Sequence, residues 1–197
     1  MKKSFLCLSL MLIICLSLAA CGSSQTKGAP DKAEATETTQ APAKEKVFET
    51  SDERFQITAD EDWSDAKDVL KIEDATLSIS KGTEGYIALI SESKYNFSNE
   101  LSGYNKLVVK HMEKSIDDEK TSESQTMKLG KYDAYKTTIS GNVEDVAMTY
   151  QIYCTEIEDR FIQLTCWSLD GSEKKLAPKF DKIAQTLSPV KIGRAHV

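Results

Sequence analysis

Five cysteines, two histidines and two tryptophans hold most of the reactive or ligand-binding chemistry available to this 197-residue chain. Cys154 and Cys166 lie far from the N-terminus, and in an exported protein such a pair invites a disulfide. Strand register argues against one. With Ile152 set opposite Leu164, Cys154 faces Ile162 and Cys166 faces Tyr150. The thiols then stand about 13 Å apart along the strands, whereas a bridge needs Cα atoms within about 7 Å. Two buried free thiols are therefore expected, and a lone pair at this spacing is no zinc site. His111 is the one histidine outside residues 192–197 and neighbours Met112 on a helical apolar stripe. With no legible nucleophile or second ligand beside it, it reads as a boundary histidine. Asp60-x-Asp62-x-Ser64 has the opening spacing of a calcium loop. Asp65 stands where the sharp-turn glycine belongs and Lys71 where the bidentate Glu belongs, so it reads as a solvated acidic turn. The sequence contains neither Gly-x-Ser-x-Gly nor a phosphate-cradling Gly-x-x-x-x-Gly-Lys. Trp63, Tyr86 and Trp167 could line a ligand groove, although tryptophans at sheet positions beside apolar partners are ordinarily core. No catalytic set, metal site or cofactor is expected.

Cys21 has the most specific setting. Lys2 and Lys3 precede an apolar run from Phe5 to Leu16, and small residues follow in Leu18-Ala19-Ala20-Cys21. A run this short with such flanks is an export signal and not a spanning helix. Its ending resembles the lipobox of bacterial lipoproteins. The resemblance implies cleavage of the Ala20–Cys21 bond, loss of residues 1–20 as a signal peptide, and a diacylglyceryl group on the Cys21 thiol. Two acyl chains hold stably where one is marginal, at about 0.8 kcal/mol per buried CH₂. The expected address is the extracytoplasmic face of the cell membrane.

Residues 21–46 then read as a tether. Gly22 to Lys46 contains no Leu, Ile, Val, Met or aromatic residue, too little apolar surface to offset the entropy of ordering. As a flexible coil it would span about 25–30 Å. At the other end, residues 192–197 (Ile-Gly-Arg-Ala-His-Val) resemble a translated sequencing adapter and are not expected to belong to the fold. The formal charge is −6, and removing Lys2, Lys3 and Arg194 makes it more acidic still. Such a chain is repelled by nucleic acid backbones, so nucleic-acid binding is not expected.

Residues 47–190 are long enough for one domain with a real core. Phe55-Gln56-Ile57 and Ala75–Ser80 alternate as strands, and Tyr86–Ile90 is continuous enough to be central. Leu101, Tyr104, Val108, Met112 and Ile116 predict a helix capped by Ser98, followed by a polar loop from Asp117. Three strands follow: Tyr132–Ser140, Val146–Cys154 and Ile162–Cys166, with turns expected at Gly141-Asn142 and near Glu158-Asp159. Leu176, Phe180, Ile183 and Leu187 close the domain as a helix, with Pro178 in its first turn or kinking it. Short turns between alternating strands make the sheet mainly antiparallel and the class α+β.

The order of these pieces resembles the PsbP-like (Mog-type) α/β/α sandwich, including its bacterial lipoprotein members. The residues concerned are Phe55-x-Ile57, Trp63, Tyr86–Ile90, the helix, Lys128-Leu129-Gly130-Lys131-Tyr132-Asp133-Ala134-Tyr135, Cys166-Trp167 and Phe180-Asp181-x-Ile183. The resemblance covers most of Val47–Leu187. It implies a central antiparallel sheet flanked by helices on both faces and a domain that binds or assembles without catalysing. Plant members of that family assist photosystem II and a eukaryotic branch binds a small GTPase, but neither set of functional residues maps here. The expectation is thus a membrane-anchored lipoprotein with a non-catalytic domain for a protein or envelope partner. The alternative is a small-ligand-binding lipoprotein or envelope enzyme, with its pocket lined by Trp63, Tyr86 and Trp167.

Overall fold

A computed structural model describes residues 44–191 except Asn99 and Asp170. The signal peptide, the Ala20–Cys21 cleavage and lipidation site, the tether up to residue 43 and residues 192–197 lie outside the described residues.

The chain runs through β1 (Glu45–Glu49), β2 (Phe55–Asp60), β3 (Ser64–Asp65), α1 (Lys67–Leu70), β4 (Ala75–Lys81), β5 (Gly85–Ser93) and α2 (Leu101–Glu113). It continues through β6 (Asp117–Thr121), β7 (Gln125–Leu129), β8 (Tyr132–Val143), β9 (Val146–Ile157), β10 (Arg160–Leu169), α3 (Glu173–Gln185) and β11 (Ser188–Pro189). Eight strands form one sheet in the order β3-β4-β5-β10-β9-β8-β6, with β7 also on β8; a small sheet is ordered β1-β2-β11. All these pairings are antiparallel. Strand β1 thus takes in Glu45 and Lys46, the last two residues of the segment read as tether.

Alternation along β10 divides the interior into two cores. Cys166 belongs with Ile57, Leu164 and Leu176, while its neighbour Trp167 belongs with Tyr104, Met112 and Tyr150. The first core takes Leu176, Phe180 and Ile183 from α3, together with Phe55 and Ile57 of the small sheet. The second takes Tyr104, Val108 and Met112 from α2 and Leu70 from α1. Each such side chain, fully buried, contributes about 1.5–3 kcal/mol. The molecule is sheet-dominated, with three short α-helices among the described residues.

Three local expectations change. The segment from Asp117 is strand β6, invisible to pattern reading because all five residues of Asp-Asp-Glu-Lys-Thr are exposed. No turn forms at Gly141-Asn142, which lie inside β8. The hairpin instead closes at Glu144 and Asp145, both with positive φ (50° and 65°), between the paired Val143 and Val146. Two left-handed residues match the natural twist of a two-residue hairpin. Finally, α2 starts at Leu101 with Glu100 as its N-cap, two residues beyond Ser98. Pro178 falls in the second turn of α3 and removes the amide hydrogen that would bond the carbonyl of exposed Lys174.

Candidate functional site

The α2 side of the sheet contains a pocket of about 320 Å³. Its floor comes from β10, where Gln163, Thr165 and Trp167 share a face, paired with Ile90, Ala88 and Tyr86 of β5. Met112 of α2, Ile116 beyond the helix and Tyr150 of β9 supply walls. Ser115, Asp117 and Glu144, all exposed, mark the mouth.

Gln163 and Thr165 are the unusual members. They retain only 6% and 7% of their exposure on a covered face of a central strand, where an unbonded amide or hydroxyl costs several kcal/mol. Gln163 Nε2 donates to Thr165 Oγ1 at 3.0 Å. That bond uses one amide hydrogen and leaves the other, the Gln163 carbonyl and the Thr165 hydroxyl hydrogen for further partners. Apolar walls with a few convergent polar groups are the ordinary composition of a small-ligand site.

Trp63, Tyr86 and Trp167 do not share one groove. Trp167 lines the pocket and is stacked between cross-strand neighbours, Tyr86 at 5.4 Å and Tyr150 at 6.1 Å. Tyr86 therefore backs the pocket wall through Trp167. Trp63 is buried in the other core, tilted against Phe180 of α3 at 6.2 Å. The separation follows from the sheet itself, because side chains on its two faces cannot meet. Gln163, Thr165, Tyr150 and Met112 escaped sequence reading. The available signal was the polar pair in β10, which alternates with Ile162, Leu164 and Cys166 and so imitates a solvent-facing edge.

The cysteines are free and buried, but the expected register slips by one residue. Tyr153, not Ile152, faces Leu164; Cys154 faces Gln163 and Cys166 faces Gln151. The two-residue turn at Glu158-Asp159 pairs Ile157 with Arg160 and sets this parity. One residue of slip exchanges faces, so the thiols occupy opposite cores instead of positions along one face. Burial pushes both thiols well above their ordinary pKa, with Glu92 adding to the effect at Cys154 and Asp181 at Cys166. Neither should react with a thiol reagent in the native protein near neutral pH, while both should titrate in denaturant. Rapid stoichiometric labelling before unfolding would contradict the buried placement.

The other candidates are held locally. His111 is half-buried on α2, with Nε2 unpartnered among the described residues. Asp60 accepts from Lys179 Nζ at 3.3 Å and Asp62 pairs with Lys81, so the acidic turn is tied to α3 and β4 by lysines.

No family model and no curated protein matches the sequence. Solved structures do. LpqN of Mycobacterium tuberculosis, described as involved in cell envelope biogenesis, aligns with TM-score 0.55 at 13% identity, over 76% of this chain and 92% of that one. The Ran-binding protein Mog1p of Saccharomyces cerevisiae aligns with TM-score 0.54 at 9% identity, over 75% and 96%. The cyanobacterial PsbP (CyanoP) of Synechocystis sp. PCC 6803 aligns with TM-score 0.53 at 9% identity, over 79% and 98%. At such identities the likeness is one of fold, and the fold of this chain is PsbP-like.

Proposed function

We propose that this chain is a lipid-anchored protein of the extracytoplasmic membrane face whose PsbP-like domain binds an envelope component without chemically altering it. The observation that carries the binding half is the pocket on the α2 side. It offers apolar contact, an amide and a hydroxyl within reach of a small guest or of an apolar group presented by a larger partner. The envelope half is supported by the export signal ending in Cys21 and by the fold shared with LpqN, itself described as involved in cell envelope biogenesis. In this reading the Cys21 acyl chains hold the protein, the tether up to residue 43 spaces it from the lipid, and residues 44–191 meet the partner.

Cell fractionation tests the anchor. The wild-type chain should sediment with membranes and carry a diacylglyceryl mass on Cys21. A Cys21→Ser chain should appear in the soluble extracytoplasmic fraction or the medium, with nearly complete redistribution. Unchanged membrane association of Cys21→Ser would refute the anchor.

A further inference from the structure

The charged groups around the α2-side pocket have one sign, which suggests the chemical class of its guest. Two charged residues, Asp117 and Glu144, line it, and both are acidic. Lys71 and Lys114 neighbour Ile72 and Ser115 in sequence, but neither lines the pocket. Inside, the Gln163 amide donates to Thr165 Oγ1, which leaves on the floor one acceptor, the Gln163 carbonyl oxygen, and two donors, the second amide hydrogen and the Thr165 hydroxyl. The two carboxylates favour a guest that brings positive charge, while the floor can serve a donor or an acceptor on the rest of it. A carboxylate or phosphate guest would meet two like charges at the mouth.

The volume sets the size. About 320 Å³, at about 30 Å³ per water-sized group, accommodates on the order of ten non-hydrogen atoms. Trp167, Met112 and Ile116 supply the matching apolar wall.

We propose that this pocket takes an apolar amine: a chain or ring system of roughly ten heavy atoms with a primary ammonium group held by Asp117 and Glu144. The inference rests on the binding role given to this pocket above and adds the sign of charge it selects. Exposed carboxylates act weakly one by one, so the expected selectivity is moderate and sensitive to salt.

Decylamine, decanol and decanoate, used below their micelle-forming concentrations, test it on the full mature chain carrying Cys21→Ser, which needs no detergent. Trp167 lines the pocket and the one other tryptophan, Trp63, lies in the opposite core, so tryptophan emission reports occupancy. The expected order of affinity is decylamine, then decanol, then decanoate, with about tenfold between first and last at low salt. That interval should shrink toward unity at high salt. It should also collapse in the double variant Asp117→Asn with Glu144→Gln, both exposed positions, with decylamine losing affinity and decanoate gaining it. Decanoate binding as tightly as decylamine would overturn the amine assignment and leave the pocket's binding role standing. If none of the three probes shifts the emission of the folded chain, the binding role falls with it.

Discussion

Raising the pH from about 9 toward 11 should progressively destabilise and then cooperatively unfold the domain, with tyrosinate absorbance from its buried phenols appearing together with the loss of sheet signal. Five acidic groups are sealed in the neutral form. Burial pushes the Tyr104, Tyr150 and Tyr153 hydroxyls far above the ordinary 10.0, and the Cys154 and Cys166 thiols far above the ordinary 9.0. Nearby acids add to it: Tyr104 donates to Glu92 Oε2 at 2.7 Å, and the Tyr153 hydroxyl lies 2.8 Å from Asp181 Oδ1. The sign follows from which state releases protons first. Below the ordinary values both states are protonated and stability is whole. Above them the unfolded chain ionises while the folded chain cannot, so the unfolded state binds fewer protons and stability falls. Each group removes about 1.4 kcal/mol per pH unit past its ordinary value. Five together reach the order of a domain's whole stability near pH 11. Urea midpoints measured across this range should fall steeply, and Tyr153→Phe should lessen the slope by about one proton. If the buried phenols ionised while the circular dichroism stayed native, the sealed placement of these side chains would be wrong.

Those five groups also mark how far the fold was legible in the residue pattern. Tyr104 sits on the apolar stripe that identified α2, and Tyr150, Cys154 and Cys166 lie in alternating runs that identified β9 and β10. Long elements with one period carry their own signal. Register does not. The pattern alone places Ile152 and Tyr153 equally well opposite Leu164, and the two-residue turn after Ile157 decides between them. Short or solvated elements were equally silent: β6 is exposed throughout, and β11 is two residues beside β2. The pocket was the least legible feature, for a physical reason. Its lining is drawn from β5, α2, β6, β8, β9, β10 and the segments beside them, so no single window of sequence contains it. Gln163 and Thr165 looked like solvent-facing members of an alternating strand because nothing local shows that α2 covers that face.

Replacing Gly141 by Ala should destabilise the domain by about 2–3 kcal/mol, and by more for Gly141→Val. Gly141 lies within β8 opposite Met148, and β6 runs alongside, with Asp117 paired to Asn142. A Cβ at position 141 would stand 2.4 Å from Ile116 Cγ2 and 2.6 Å from the Asp117 carbonyl oxygen. A flexible side-chain tip can yield a little, but the carbonyl is backbone held in the β6–β8 pairing. Relief therefore requires β6 to move away from the sheet or Ile116, 4% exposed, to leave its packed position. Overpacking of this kind typically costs about 1–3 kcal/mol; the backbone partner puts this site toward the upper end. A drop of about 2–4 °C in midpoint temperature accompanies each kcal/mol at this chain length. Ser140→Ala, one position earlier, should stay within about 0.5 kcal/mol of wild type. Because Ile116 and Asp117 both line the pocket, Gly141→Ala should also alter decylamine binding while the chain remains folded. Thermal unfolding of Gly141→Ala at the wild-type midpoint, with binding intact, would show that β6 does not press on β8 as closely as described. It would remove the reason for a glycine in the middle of a twelve-residue strand.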